Sequence, residues 1–204
     1  MTDNSTDGRR QRGDASRQLL IDAMIHAVAL HGLPGATISV VAELAGVSRS
    51  LVNFHFTQKE QLLESALAYA LLIYEQSLST VLAAHQQSPR ARLQADILHD
   101  IRFASEHSEL LALWYASWSE RQSLQQYRNT TLAADRSYRS SYQTCFQQLL
   151  DNTELARRYA HIIDCFIDGM WLDCHLDPEA FQVDDACSTA LLLLETLLVK
   201  PVGH

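Results

Sequence analysis

Apolar residues recur along this chain at intervals of three to four, and no stretch shows a convincing alternation bounded by turn signals. That period is helical. The first amphipathic stretch, residues 16–31, aligns Leu20, Met24, Ala27 and Val28, with Ile21 and Ile25 beside them. Gly32 stops it, and Leu33-Pro34-Gly35 turns the chain. A short helix with Val40, Val41, Ala42 and Leu44 begins after Thr37 or Ser39, and another spans Ser48 to about Phe56. Thr57 and Glu60 have capping-box spacing, which starts a fourth, long helix near Gln58 that reaches toward His85. Further helices are expected over 90–106, 108–121, 124–150, 153–175 and 178–198, the last opened by Pro178. The expectation is an all-α fold of about nine helices. Its parts are a mobile polar tail over 1–15, a three-helix unit over 16–62, and a larger helical domain over 63–204.

Composition supports this pattern and narrows the partners. Seven glycines and four prolines leave long uninterrupted stretches, and 47% hydrophobic content supplies a sizeable core. The net charge of −8 is unevenly placed: basic and acidic residues balance through residue 60, so all the excess acid lies beyond it. A neutral N-terminal unit with local basic points remains compatible with DNA, because binding depends on charge near the phosphates. Cys145, Cys165, Cys174 and Cys187 form no C-x-x-C pair and no signal peptide precedes them, which points to reduced thiols in a cytoplasmic protein. No apolar run approaches the roughly 18 residues that cross a bilayer, so no membrane partner is expected.

The stretch Thr37 to Lys59 organises the rest. Ala42 and Ala45 are small enough for two helices to cross closely. Gly46 can take the left-handed conformation that ends one helix, and Ser48 can cap the next. This is the shape of a helix-turn-helix, whose second helix enters the DNA major groove.

Those residues, with Arg17, Gly32, Thr37-Ile38-x-x-Val41-Ala42-x-x-Ala45-Gly46-Val47-Ser48 and Phe56-x-x-Lys59-x-x-Leu62, resemble the N-terminal domain of TetR-type transcriptional repressors. Ser50 stands where that family usually has glycine, and Asn53 where it often has tyrosine. Leu113-Trp114-x-x-x-Trp118 and Ile167-Asp168-Gly169-Met170-Trp171-Leu172, followed by Asp177-Pro178-Glu179, are similar to the C-terminal domain of the choline-responsive, BetI-type subgroup.

The resemblance implies a homodimeric repressor that binds a palindromic operator in double-stranded DNA and responds to a small-molecule effector, with no cofactor. Its reader would use Arg49, Ser50, Leu51 and Asn53 on base edges, and Thr37, Ser48, His55 and Lys59 at helix ends, where phosphate binds. Phe54 is equally placed to pack or to face outward, and Arg9, Arg10 and Arg12 in the tail are placed to reach the duplex. Pairing of the last two helices between protomers would use Ile163, Phe166, Ile167, Met170, Leu191, Leu194 and Leu198. Phe103, Trp114, Trp118, Tyr138, Tyr142 and Trp171, with Glu120, Asp168 or Asp173, are candidates to hold an organic cation.

Enzymatic readings are weaker. His161, Cys165, Cys174 and His175 cannot converge on a metal from one helix, Cys145 has no oxyanion-type motif beside it, and no Gly-rich phosphate loop exists. A helical binding module with weak or lost DNA binding is the alternative to a regulator.

Overall fold

The computed structural model describes residues 4–85, 88–119, 125 and 128–199, and among these every regular element is helical. In chain order they are α1 (Asn4–Gly35), α2 (Ile38–Leu44), α3 (Arg49–His55), α4 (Lys59–Ala83), α5 (Pro89–Glu106), α6 (Ser108–Ser119), α7 (Leu132–Leu149), α8 (Thr153–Leu176) and α9 (Val183–Leu198). The all-α expectation holds. The chain divides into two compact units, Met1–Leu71 with Ala112–Thr131, and Leu72–Leu111 with Leu132–His204.

Helix ends follow local chemistry. α1 breaks at Gly32, whose φ of 66° and ψ of 174° suit glycine alone. α5 opens with Pro89 after Ser88, whose hydroxyl accepts from Ala91 N at 3.3 Å, and Asn152 caps α8 by accepting from Leu155 N at 2.9 Å.

Several boundaries differ from the sequence reading, and the helix expected over 124–150 begins only at Leu132, after a turn at Thr131. α1 begins at Asn4 rather than near Ser16, because Arg9, Arg10, Gln11 and Arg12 favour helix but carry no apolar side chain, and hydrophobic periodicity is blind to such a segment. The side chains of Arg9, Arg10 and Arg12 lie outside the described residues. At the start of α4, Thr57 pairs with Gln61 instead of Glu60: its N–H and hydroxyl both donate to Gln61 Oε1, at 3.2 and 2.9 Å. α9 starts at Val183 rather than at Pro178. Asp177 Oδ1 accepts from Ala180 N and closes a separate turn first.

α4 also meets the length and hydropathy needed to cross a membrane, over a window of mean hydropathy 1.3, which a search for unbroken apolar runs overlooks. Its apolarity has a use in the fold: Leu62, Leu63, Ala66, Leu67, Ala70, Tyr74 and Leu78 form a buried stripe at helical spacing.

In the first unit, Leu20, Met24, Ala27 and Val28 of α1 are buried, as are Val41, Ala42, Val52 and Phe56. In the second, Leu93, Ile97 and Ile101 of α5 share a core with Phe146, Ala160, Ile163, Ile167, Ala190 and Leu194.

Candidate functional site

Thr37 accepts from Val40 N at 3.3 Å and starts α2. At its other end Val47 N donates to Ala42 O at 2.9 Å, and Gly46 N to Glu43 O at 3.0 Å. That pair of bonds is a Schellman cap, and it requires Gly46 at φ 65°. Ser48 then caps α3 by accepting from Leu51 N at 3.3 Å, with its Oγ 2.8 Å from Ser50 Oγ. Val52 and Phe56 are buried and fix the helix rotation, so Arg49, Ser50 and Asn53 face outward and Leu51 and His55 are half-buried. Phe54 is 80% exposed, with only the edge of His55 against its ring at 5.1 Å. Sequence reasoning left Phe54 open; the structure places it on the outward face.

Two basic residues hold this unit together. The Lys59 ammonium donates to the carbonyl of Leu33, tying the α1–α2 turn to the start of α4. The guanidinium of Arg17 lies 4.8 Å from the centre of the Phe56 ring and donates to Ser65 Oγ at 2.8 Å.

The aromatic residues expected around an effector divide between the units. Trp114 and Trp118 belong to the first. Phe103, Tyr138 and Trp171, in the second, surround Tyr74 with ring centroids 5.2, 5.2 and 6.0 Å away. Tyr142 joins them through a carboxylate that sequence reading missed. Asp100, only 2% exposed, accepts from Tyr74 OH at 2.5 Å and Tyr142 OH at 2.7 Å, while its backbone carbonyl accepts from Trp171 Nε1 at 3.0 Å. Asp96 lies one turn earlier and is also buried; burial, then the Asp100 charge, pushes its carboxyl well above the usual carboxylate range. Burial and Asp100 likewise raise Tyr74 and Tyr142, so both remain protonated donors. His99 accepts from or donates to Ser77 Oγ at 2.9 Å, and its Nδ1, 3.7 Å from Asp100 Oδ1, has no hydrogen-bond partner. A groove of about 520 Å³ between α4 and α5 reaches this group through His99 and Phe103.

Asp168 and Asp173 are exposed on α8, and Glu120 lies outside the described residues.

The residues expected to pair are placed at different depths. Ile163, Ile167 and Leu194 are buried in their own unit's core, and Phe166, Met170, Leu191 and Leu198 are half-buried. Periodicity finds an apolar face but cannot say which core it joins. The stripe left outward on α8 is Ile162, Cys165, Gly169, Leu172 and Leu176, spaced three and four apart, with Leu176 73% exposed. On and just beyond α9, Leu192, 68% exposed, Thr196 and Val199 also face outward.

Comparison with known proteins supplies the family. Residues 20–66 match the model described as bacterial regulatory proteins, tetR family, and residues 89–199 match the BetI-type transcriptional repressor C-terminal model. The chain belongs to the TetR family, in its BetI-type branch. It is 30% identical over 184 residues to the HTH-type transcriptional regulator BetI of Paraburkholderia phytofirmans, covering 90% of this chain and 94% of that one. It is also 30% identical over 191 residues to BetI of Pseudomonas aeruginosa, covering 92% and 95%. Among solved structures, a transcriptional regulator from Rhodococcus sp. Rha1 superposes with a TM-score of 0.78 at 20% identity, over 89% of this chain and 95% of that one. The TetR-family chain is therefore a DNA-binding, BetI-like repressor, and its relatives are regulators rather than enzymes.

Proposed function

We propose that this TetR-family repressor acts in the cytoplasm as a homodimer that reads a palindromic operator through two copies of α3 and answers to a small organic cation. The outward face of α3 carries the reading: Arg49, Ser50, Asn53 and Phe54 stand clear on a helix capped by Ser48 and anchored by Val52 and Phe56. Arg49 suits guanine, Asn53 suits adenine, and Phe54 adds an apolar surface for a thymine methyl. Thr37, His55 and Lys59 would bind phosphate, Lys59 with the donors not used on Leu33. Two-fold pairing through the outward stripe of α8 and α9 would supply two readers for two half-sites.

The effector would sit at Asp100, with Asp96, Tyr74, Phe103, Tyr142 and Trp171 around it. A buried carboxylate within an aromatic group suits a desolvated cation. A cation there competes for the carboxylate that Tyr74 now holds, and Tyr74 is part of α4, the helix that starts at Lys59. Differential affinity for two settings of α4 then shifts the dimer between DNA-competent and incompetent states.

Footprinting upstream of the protein's own gene should reveal a protected palindrome; no protection at low salt removes the operator. Asn53→Ala should relax selectivity at one base position, and uniform weakening across all sites would contradict the base contact. A thermal-shift panel of quaternary amines, polyamines and fatty acyl compounds tests the effector. Saturation near 100 Kd stabilises by about 2.7 kcal/mol, and Asp100→Asn should abolish the shift. An uncharged isostere that shifts the wild type equally would exclude a cation.

A further inference from the structure

Among the described residues, Arg92 of α5 makes no ion pair at contact distance, although the buried Asp96 carboxyl one turn on feels its charge. Arg90, two residues earlier, pairs with Glu195, and Arg139 of α7 pairs with Asp164. Arg92 reaches only Ser141 Oγ, at a long 3.5 Å, and its Nε is buried with no hydrogen-bond partner. An orphaned donor on a permanent cation calls for a missing acceptor. Beside it α7 presents Ser137, Ser140, Ser141 and Thr144, spaced so that all fall on one helical face. Together with Gln148 they line a cleft of about 470 Å³. No carboxylate is among its lining residues, and among the described residues the Ser137 and Ser140 hydroxyls and the Gln148 amide make no side-chain hydrogen bond. A cation, the Ser137 and Ser140 hydroxyls and an amide in one concavity make a donor-rich surface, and Asp96, the buried acid whose charge reaches Arg92 and Cys145, is pushed by burial toward its neutral form.

We propose that this cleft binds a phosphate oxyanion, with the Arg92 guanidinium as its charge partner and the Ser137 and Ser140 hydroxyls as donors. A guanidinium offers paired N–H groups that match two oxygens at once, and hydroxyls supply the remaining bonds. The volume lies in the range of small-molecule sites of about 300–1,000 Å³, which leaves room for a polar body esterified to the phosphate. The site is separate from the operator and cation reading and stands without it.

Isothermal titration of the full-length protein, with neither DNA nor cation present, tests it with inorganic phosphate, glycerol 3-phosphate and glycerol. Both phosphates should bind and glycerol should not. Arg92→Gln should weaken phosphate binding by at least about tenfold, equivalent to 1.4 kcal/mol. Ser140→Asp, at an exposed position that leaves the core intact, should do the same by placing a negative charge in the cleft. Tighter binding of glycerol 3-phosphate assigns the site to a phosphomonoester, and equal binding assigns it to the free ion. Unchanged affinity in Ser140→Asp, glycerol binding as tight as its phosphate, or no phosphate binding at about 10 mM, where even a weak Kd would register, overturns the proposal.

Discussion

Phe54 and Gly46 show how much single positions on the reader carry. Phe54 buries almost nothing, so Phe54→Ala should leave the melting temperature within about a degree or two of wild type while weakening operator binding. Gly46 is the opposite case. Nothing stands within 4 Å of where a Cβ would go, so Gly46→Ala meets no clash, only the left-handed backbone penalty of about 1–2 kcal/mol. Chemical denaturation should show that loss directly. Asp96 makes a pH prediction. Its folded form keeps a proton that the unfolded chain releases near pH ~3.9, so its contribution is complete below that value and is lost as pH rises through the raised folded value. Asp96→Asn should flatten the decline in melting temperature as pH rises above about 4; an unchanged slope would place the proton elsewhere. Asp100 was legible in retrospect. Its neighbours three and four positions away include Ile97, Phe103 and Ala104, so it sits on a core stripe. An acid in that setting signals a buried polar centre, whereas acids on α8 such as Asp168 signal only a solvated face.

At the level of elements, the helix-turn-helix could be read almost completely from sequence, because Thr37, Gly46 and Ser48 act on the backbone within a few residues of themselves. The outward stripe of α8 could not. Ile163 and Ile162 are adjacent and equally apolar, yet one is sealed in its own core and the other faces out. Only the tertiary fold separates them. Ile163→Ala should therefore cost about 2–5 kcal/mol of stability. Leu172→Glu should instead lower the association constant, read by sedimentation at several concentrations, with little change in the far-ultraviolet melting of the isolated chain. The reverse assignment of these two effects would return Ile163 to the interface.

For the whole molecule, charge and assembly set the conditions for DNA binding. The excess acid lies beyond residue 60 and keeps non-specific attraction modest, so affinity should rest on a few phosphate contacts. Lys59→Ala should reduce the slope of log affinity against log salt by about one. Because Lys59 also holds Leu33, that variant should lose some thermal stability as well, and the slope, unlike the affinity, separates the two effects. The four thiols add a consequence for experiment. Cys145, Cys174 and Cys187 are buried, and burial raises all three above the usual thiol range, while Cys165 alone is exposed. A maleimide should therefore alkylate one position per chain, in the middle of the outward α8 stripe. If copies of the chain close over that stripe, the alkylation rate becomes a clock for assembly, slowing as protein concentration rises, and the native sequence already contains the label site needed to read it.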